Sequence, residues 1–388
     1  MHWRIFASGF RPTFLMAGLA ALTLIPAWVA VWAFGAPLGS SWPPTLWHAH
    51  EMLFGFIGAA IAGFMLTAVP SWTGQRGFAG TPLVLLSALW LAGRVVIISA
   101  GHWPAALILA VDVSFLVFLA ILLAPPLIRT RNRNALLLVI LIALAGCNVG
   151  FHAALMRHDV NVASHILYYA VDIVLLMVTV IGGRILPAFT TSGLRAQGSA
   201  VTLRAWPLMS GLSIAAMAQV LLVDIFFPNS IAAGTIAGLA AVIQALRLLQ
   251  WRSQTTLRLP ILWILHVAYA WLPIGLALKC AALLGGFALS AFWLHALTVG
   301  ALATMIMGVM SRAALGHTGR PLEADPLTVT AYALLCLAAI TRVFGLSAGL
   351  SYPIVIVLSA SFFTVAFACF LFVYVPILSS PRADGKAG

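Results

Sequence analysis

Stretches of about 20 apolar residues, the length a helix needs to cross roughly 30 Å of hydrocarbon, follow one another along almost the whole chain. Twelve can be counted, the first over Thr13–Phe34 and the last over Tyr352–Leu378. Backbone in lipid must satisfy its own hydrogen-bonding groups, so such stretches fold as helices. Composition agrees: of 388 residues, 63% are hydrophobic and 7% charged, and the mean hydropathy is +1.10. That leaves too little polar surface for a water-soluble globule. The expected fold class is all-α, a polytopic membrane bundle of about 12 transmembrane helices.

The arginines set an orientation. With the N-terminus taken as one side, that side carries Arg4, Arg11, Arg76, Arg129, Arg131, Arg133, Arg195, Arg204, Arg252, Arg258, Arg320, Arg382 and Lys386, whereas the opposite loops carry only Arg157. Positive charge concentrates in cytoplasmic loops, so both termini are expected in the cytoplasm. The net charge of +12 is then a topology signal and a match to anionic membrane lipids, with no nucleic acid implied. Phe10-Arg11-Pro12 reads as an interfacial anchor ahead of the first span, which is too long for a signal peptide. The four cysteines, Cys147, Cys280, Cys336 and Cys369, lie far apart inside apolar spans. That spacing excludes covalent c-type haem and a sequence-visible thiolate metal site.

One segment is repeated. Trp47 to Gly74 reads WHAHEMLFGFIGAAIAGFMLTAVPSWTG, and an echo returns at His295 to Gly319 with Gly55 and Gly300, Gly63 and Gly308, and two closing aromatic-Thr-Gly triplets in register. A fainter copy places His165 with His48, and Pro187 and Thr190 with Pro70 and Thr73. Three copies predict a single transmembrane domain over 1–380, built from repeats at about 10–128, 134–250 and 258–378 with a short disordered tail at 381–388. Each repeat then holds four helices, and the histidine-bearing helix is second in each.

Chemistry-bearing residues are few and therefore conspicuous. His48, His50 and Glu51 open the second span. At about 100° per residue the two histidines face different neighbours. They read either as helix-end polar groups or as ligands and proton carriers. Arg94 and Asp112 lie inside the third and fourth spans, where a charge is expensive unless paired or functional, and a pair between them is possible. His152 ends the fifth span. His165, Tyr168, Tyr169 and Asp172 fall on one stripe of the sixth, a ligand with supporting partners, a proton relay or structural hydrogen bonding. Arg184 and Arg312 align between repeats and suit a bound anion, or reach for the cytoplasmic interface. His50 or His48, His152, His165 and His295 all fall in the periplasmic half, and neutral imidazoles bind haem iron and copper.

WHAHEMLFGF, TAVPSWTG, GGRILPAFT and MSRAALGHTGRPL resemble the NnrS family of bacterial inner-membrane proteins, from near residue 10 to the last span. The resemblance implies heme b, with copper as a second candidate, and a role in the nitric oxide response, nitrosative stress and denitrification. It brings no ligand assignments. On our own reading the candidate cofactor residues are His48, His50, His295, Arg184 and Arg312. The candidate metal ligands are His48, His50, His152, His165 and His295, with Glu51, Tyr169 and Asp172 in support. The architecture is also similar to haem-copper oxidase catalytic subunits, but the His-His pair expected on the seventh helix is missing. Nitric oxide or a related small molecule is the expected partner, and no electron-carrier motif identifies a donor. Two other readings stand beside this one: a proton-coupled permease, and an accessory protein that protects or supplies metal centres.

Overall fold

The computed structural model describes residues 4–203, 206–286 and 292–386, and among these it is helical, with no strand. Arg204 and the last two residues of the 381–388 tail, named above, lie outside the described residues. Among the described residues, twelve helices are long and apolar enough to cross a membrane. They are α1 (Phe10–Phe34), α2 (Pro44–Thr73), α3 (Thr81–Ile98), α4 (Ala105–Arg129), α5 (Arg133–Met156) and α6 (Val160–Ala196), followed by α7 (Pro207–Phe226), α8 (Ile231–Leu249), α9 (Pro260–Gly285), α10 (Trp293–His317), α11 (Pro326–Phe344) and α12 (Tyr352–Ser379). The chain is a multi-pass membrane protein.

Proline and glycine set several boundaries. Pro44, Pro207, Pro260 and Pro326 occupy the first turn of their helices, where the missing N–H is not needed. Gly74 ends α2 in the left-handed region at φ 65°, and its N–H bonds to the Pro70 carbonyl. Interior prolines do not terminate helices here. α6 runs on through Pro187 to Ala196. A bundle can satisfy the carbonyl that a proline frees, so the residue bends a span rather than stopping it. α2 and α10 each contain a π-helical stretch, Glu51–Ile57 and Ala296–Ala303, and each begins at the residue after an aligned histidine, His50 or His295. Such widened turns are rare and often mark functional sites.

The chain divides into two compact units, Met1–Ala170 with Ala313–Pro321 and Phe367–Gly388, and Val171–Arg312 with Leu322–Ala366. In the first, α1 packs along the Gly58–Thr73 part of α2, α3 packs on α4, and α4 on α5. Arg11 is a member of this core, 1% exposed. Its guanidinium donates to the carbonyls of Leu378 at 2.7 Å and Ser380 at 2.8 Å, two acceptors left over at the end of α12. The segment after Pro381 also makes defined contacts. Ala383 N–H donates to the Thr318 carbonyl at 2.8 Å and Arg382 to that of His317 at 2.7 Å. In the second unit α9 lies against α8 and against the π-helical stretch of α10, and α7 packs on α8.

Candidate metal centre

Four neighbouring helices of the first unit bring their rare polar residues to one place. α2 supplies His50 and Glu51, α3 Arg94, α4 Asp112, and α5 Asn148 and His152. All but Arg94 are buried, and the Arg94 side chain is 13% exposed. Asp112 is the hub. Its Oδ1 accepts from Arg94 Nη2. Its Oδ2 accepts from Asn148 Nδ2 at 2.8 Å and lies 3.1 Å from His152 Nε2 and 3.2 Å from His50 Nε2. Arg94 also donates through Nη1 to Glu51 Oε1 at 2.6 Å. The pairing of Arg94 with Asp112 anticipated from their positions is therefore present, extended by a second carboxylate.

Small residues make this packing possible. A Cβ on Gly55 would sit 2.8 Å from Arg94 Nη1, and one on Gly93 would sit 3.1 Å from Asp112 Oδ1. The π-helical turn contributes as well. Its carbonyl at Gly55 accepts from Trp90 Nε1 at 2.9 Å, a side-chain donor from α3 that ties the widened turn to the helix bearing Arg94. Aromatic rings close the group off from solvent. Trp42 meets the rings of His50 and His152 edge-on at 5.1 and 5.3 Å, and Phe54 and Phe151 lie 4.7 and 4.8 Å from His50.

Two features point to a cation at the centre. The first is charge: two carboxylates face one guanidinium, which leaves one negative charge in a buried site. The second is the count of hydrogens on His50. Its Nδ1 lies 3.3 Å from Glu51 Oε1, while its Nε2 faces Asn148 Oδ1 at 2.9 Å and Asp112 Oδ2. A neutral imidazole has a single N–H, and rotating the Asn148 amide would break its bond to Asp112. An added proton or a metal ion resolves the conflict. His50, Asp112 and His152 each offer one ligand atom, all within 4.8 Å of one another. Among the described residues this is the group that could hold a metal ion. With Nδ1–H donating to Glu51, His50 would present Nε2 to the ion. Arg94 would hold Oδ1 of Asp112 while Oδ2, steadied by Asn148, faces the ion, the kind of outer support that metal ligands usually have.

The remaining candidates are placed elsewhere. His48 turns away from His50, as the helical angle requires, and stacks on Trp28 at 4.7 Å. His165 lies beside Tyr168, 6.2 Å between rings, and is not one of the three grouped ligands. His295 stands at the entry to α10 in the second unit, half-buried. Tyr169 is also half-buried. Asp172 is buried in the second unit. Arg312 is buried over the Phe189 ring at 4.2 Å, but Arg184 is exposed, so the two aligned arginines are not both buried cations. The sixth span explains the difference: Arg184 follows Gly182 and Gly183, which take the inward positions. Asn148 and Trp42 were missed. Asn148 was legible as a polar residue one turn before His152 in an apolar helix, whereas Trp42 sits in a loop with no periodicity to place it.

A family model described as NnrS protein matches residues 4–382. No curated protein shows a match to the chain.

Proposed function

The chain belongs to the NnrS family, and from that premise we propose that it is an inner-membrane protein of the nitric oxide response that holds a metal ion at His50, Asp112 and His152 and binds or removes nitric oxide, protecting the cell from nitrosative stress. Membership supports the link to nitric oxide. The observation that carries the site is the convergence of three buried ligand atoms within 4.8 Å. Two imidazole nitrogens and one carboxylate oxygen suit copper(II) or non-haem iron better than copper(I), which prefers sulfur. Of the two metals the resemblance implies, we assign copper to this group.

A haem does not fit at His50. Three aromatic rings pack around its imidazole, at 4.7 to 5.1 Å between ring centres, which leaves no room for a porphyrin beside it. Heme b belongs instead to the histidines outside this cluster, with His295 the first candidate because it opens the second π-helical stretch.

When bound, an ion with three protein ligands supplies an open position for a small neutral molecule. The residues around it have separable tasks. Glu51 fixes which nitrogen of His50 faces the ion. Arg94 balances the two carboxylates. Asn148 holds Oδ2 of Asp112, and Trp42, Phe54 and Phe151 exclude water. Removal of nitric oxide by turnover requires an electron donor from outside the chain. The arginine distribution supports an orientation with both termini in the cytoplasm.

The test is nitric oxide binding by purified protein in detergent, followed by absorption and electron paramagnetic resonance, beside Asp112→Asn. The reading predicts a copper signal altered by nitric oxide in the wild type and absent from the variant. Equal responses in both proteins would move nitric oxide binding to another site.

A further inference from the structure

The second unit holds another buried group of charges, unrelated to the metal site. Asp172 on α6, Asp224 on α7 and Lys279 on α9 are 3%, 7% and 4% exposed. Lys279 Nζ is paired with Asp224 Oδ2, and the ammonium also lies 4.8 Å from the centre of the Trp293 ring at the start of α10. Asp172 faces Asp224, with Lys279 the neighbouring cation. The Oδ2 of Asp172 is buried and has no hydrogen-bond partner among the described residues.

The count of charges and hydrogens does not close as it stands. One ammonium neutralises one carboxylate, and a second carboxylate buried in a membrane span without a counter-charge is costly. Carboxylate oxygens accept hydrogen bonds and do not donate them, so two buried carboxyl groups that face one another can be joined only when one of them carries a proton. Two acids pressed together share a proton for the same reason in soluble proteins. A metal ion is a poor alternative. The third member of the group is an ammonium, which cannot be a ligand and repels a cation, and the unit supplies no third ligand atom here among the described residues.

We propose that Asp172 and Asp224, with Lys279 as their fixed counter-charge, form a proton-binding site inside the membrane-spanning part of the second unit. The charged groups that face Asp172 are Asp224 from α7 and Lys279 from α9, and the Trp293 ring from α10 covers the ammonium. Asp224 stands two residues before the end of α7 and Trp293 at the first residue of α10. The group therefore lies close to the ends of two spans, within reach of water, and a proton bound there is exchangeable. The site is independent of the metal centre, and its failure would leave that reading untouched.

Infrared difference spectroscopy of the purified full-length protein tests this directly. The wild type is expected to show the carbonyl stretch of a protonated carboxyl at neutral pH that shifts in deuterium oxide. Asp172→Asn and Asp224→Asn each abolish it. Asp159→Asn, which removes an exposed carboxylate in the loop before α6, leaves it in place. Lys279→Met, which removes the counter-charge, intensifies the band because both acids then hold protons. Absence of the band in the wild type overturns the proposal. So does a band indifferent to both asparagine variants, or one that sodium or potassium chloride titrates away at fixed pH, which would make this a metal-cation site.

Discussion

Asp112 accepts from Arg94 and Asn148 and faces two imidazole nitrogens, so changes around it separate charge from ligation. Replacing Arg94 by Met leaves Glu51 and Asp112 buried without their guanidinium. Breaking such a pair from one side costs about 3–5 kcal/mol, and a lower unfolding temperature in detergent checks it. Arg94→Lys keeps the charge but cannot span both carboxylates with a fixed fork, and is expected to fall between the wild type and Arg94→Met. Glu51→Gln retains the shape of the side chain but is a weaker acceptor for His50 Nδ1–H. Losing a supporting partner of a metal ligand costs about 10–100-fold in affinity, measurable by competition with a chelator. A variant with unchanged affinity would remove Glu51 from the orienting role.

The helices meet at the site through glycine. Gly55→Ala places a Cβ 2.8 Å from Arg94 Nη1, and the guanidinium must retreat from Glu51. Overpacking of this kind costs about 1–3 kcal/mol, and metal retention falls with it. An Ala variant that binds metal as tightly as the wild type would show that the close approach of α2 and α3 is dispensable. The C-terminal segment gives a pH-dependent contact. The Arg382 guanidinium, donating to both oxygens of Asp384, holds that carboxyl down from the usual 3.8 to about 2. A depressed carboxyl adds stability above its unfolded value and loses it as pH falls. The clasp is thus complete above about pH 4 and released toward pH 2. Amide hydrogen exchange over 382–386 is expected to accelerate through that window and not above it. At this scale the sequence was informative where polar residues broke an apolar pattern: Arg94, Asp112 and His152 were visible on those grounds. The π-helical stretches were not, because a widened turn arises from packing and leaves no mark in apolar periodicity. The burial of Arg11 was also hidden, since its acceptors are carbonyls at the opposite end of the chain.

For the molecule as a whole, the proposed orientation has both termini in the cytoplasm, the side on which the arginine distribution leads one to expect them. Fluorescent-protein fusions at either terminus are expected to be bright and alkaline phosphatase fusions there inactive; the reverse would invert every loop. The number of spans was legible because lipid imposes a minimum apolar length. Which histidines share a site was not, because it depends on which helices are neighbours. His50 and His152 meet through α4, and Asp112, the residue that joins them, bears no resemblance to a repeat position. The central claim is that His50, Asp112 and His152 hold one ion, and the most direct test is pulsed electron paramagnetic resonance of the copper(II)-loaded protein. Two imidazole nitrogens are predicted on the metal in the wild type, one in His50→Ala and one in His152→Ala, with His165→Ala unchanged. Copper bound with the same nitrogen signature in all of these proteins would contradict the account.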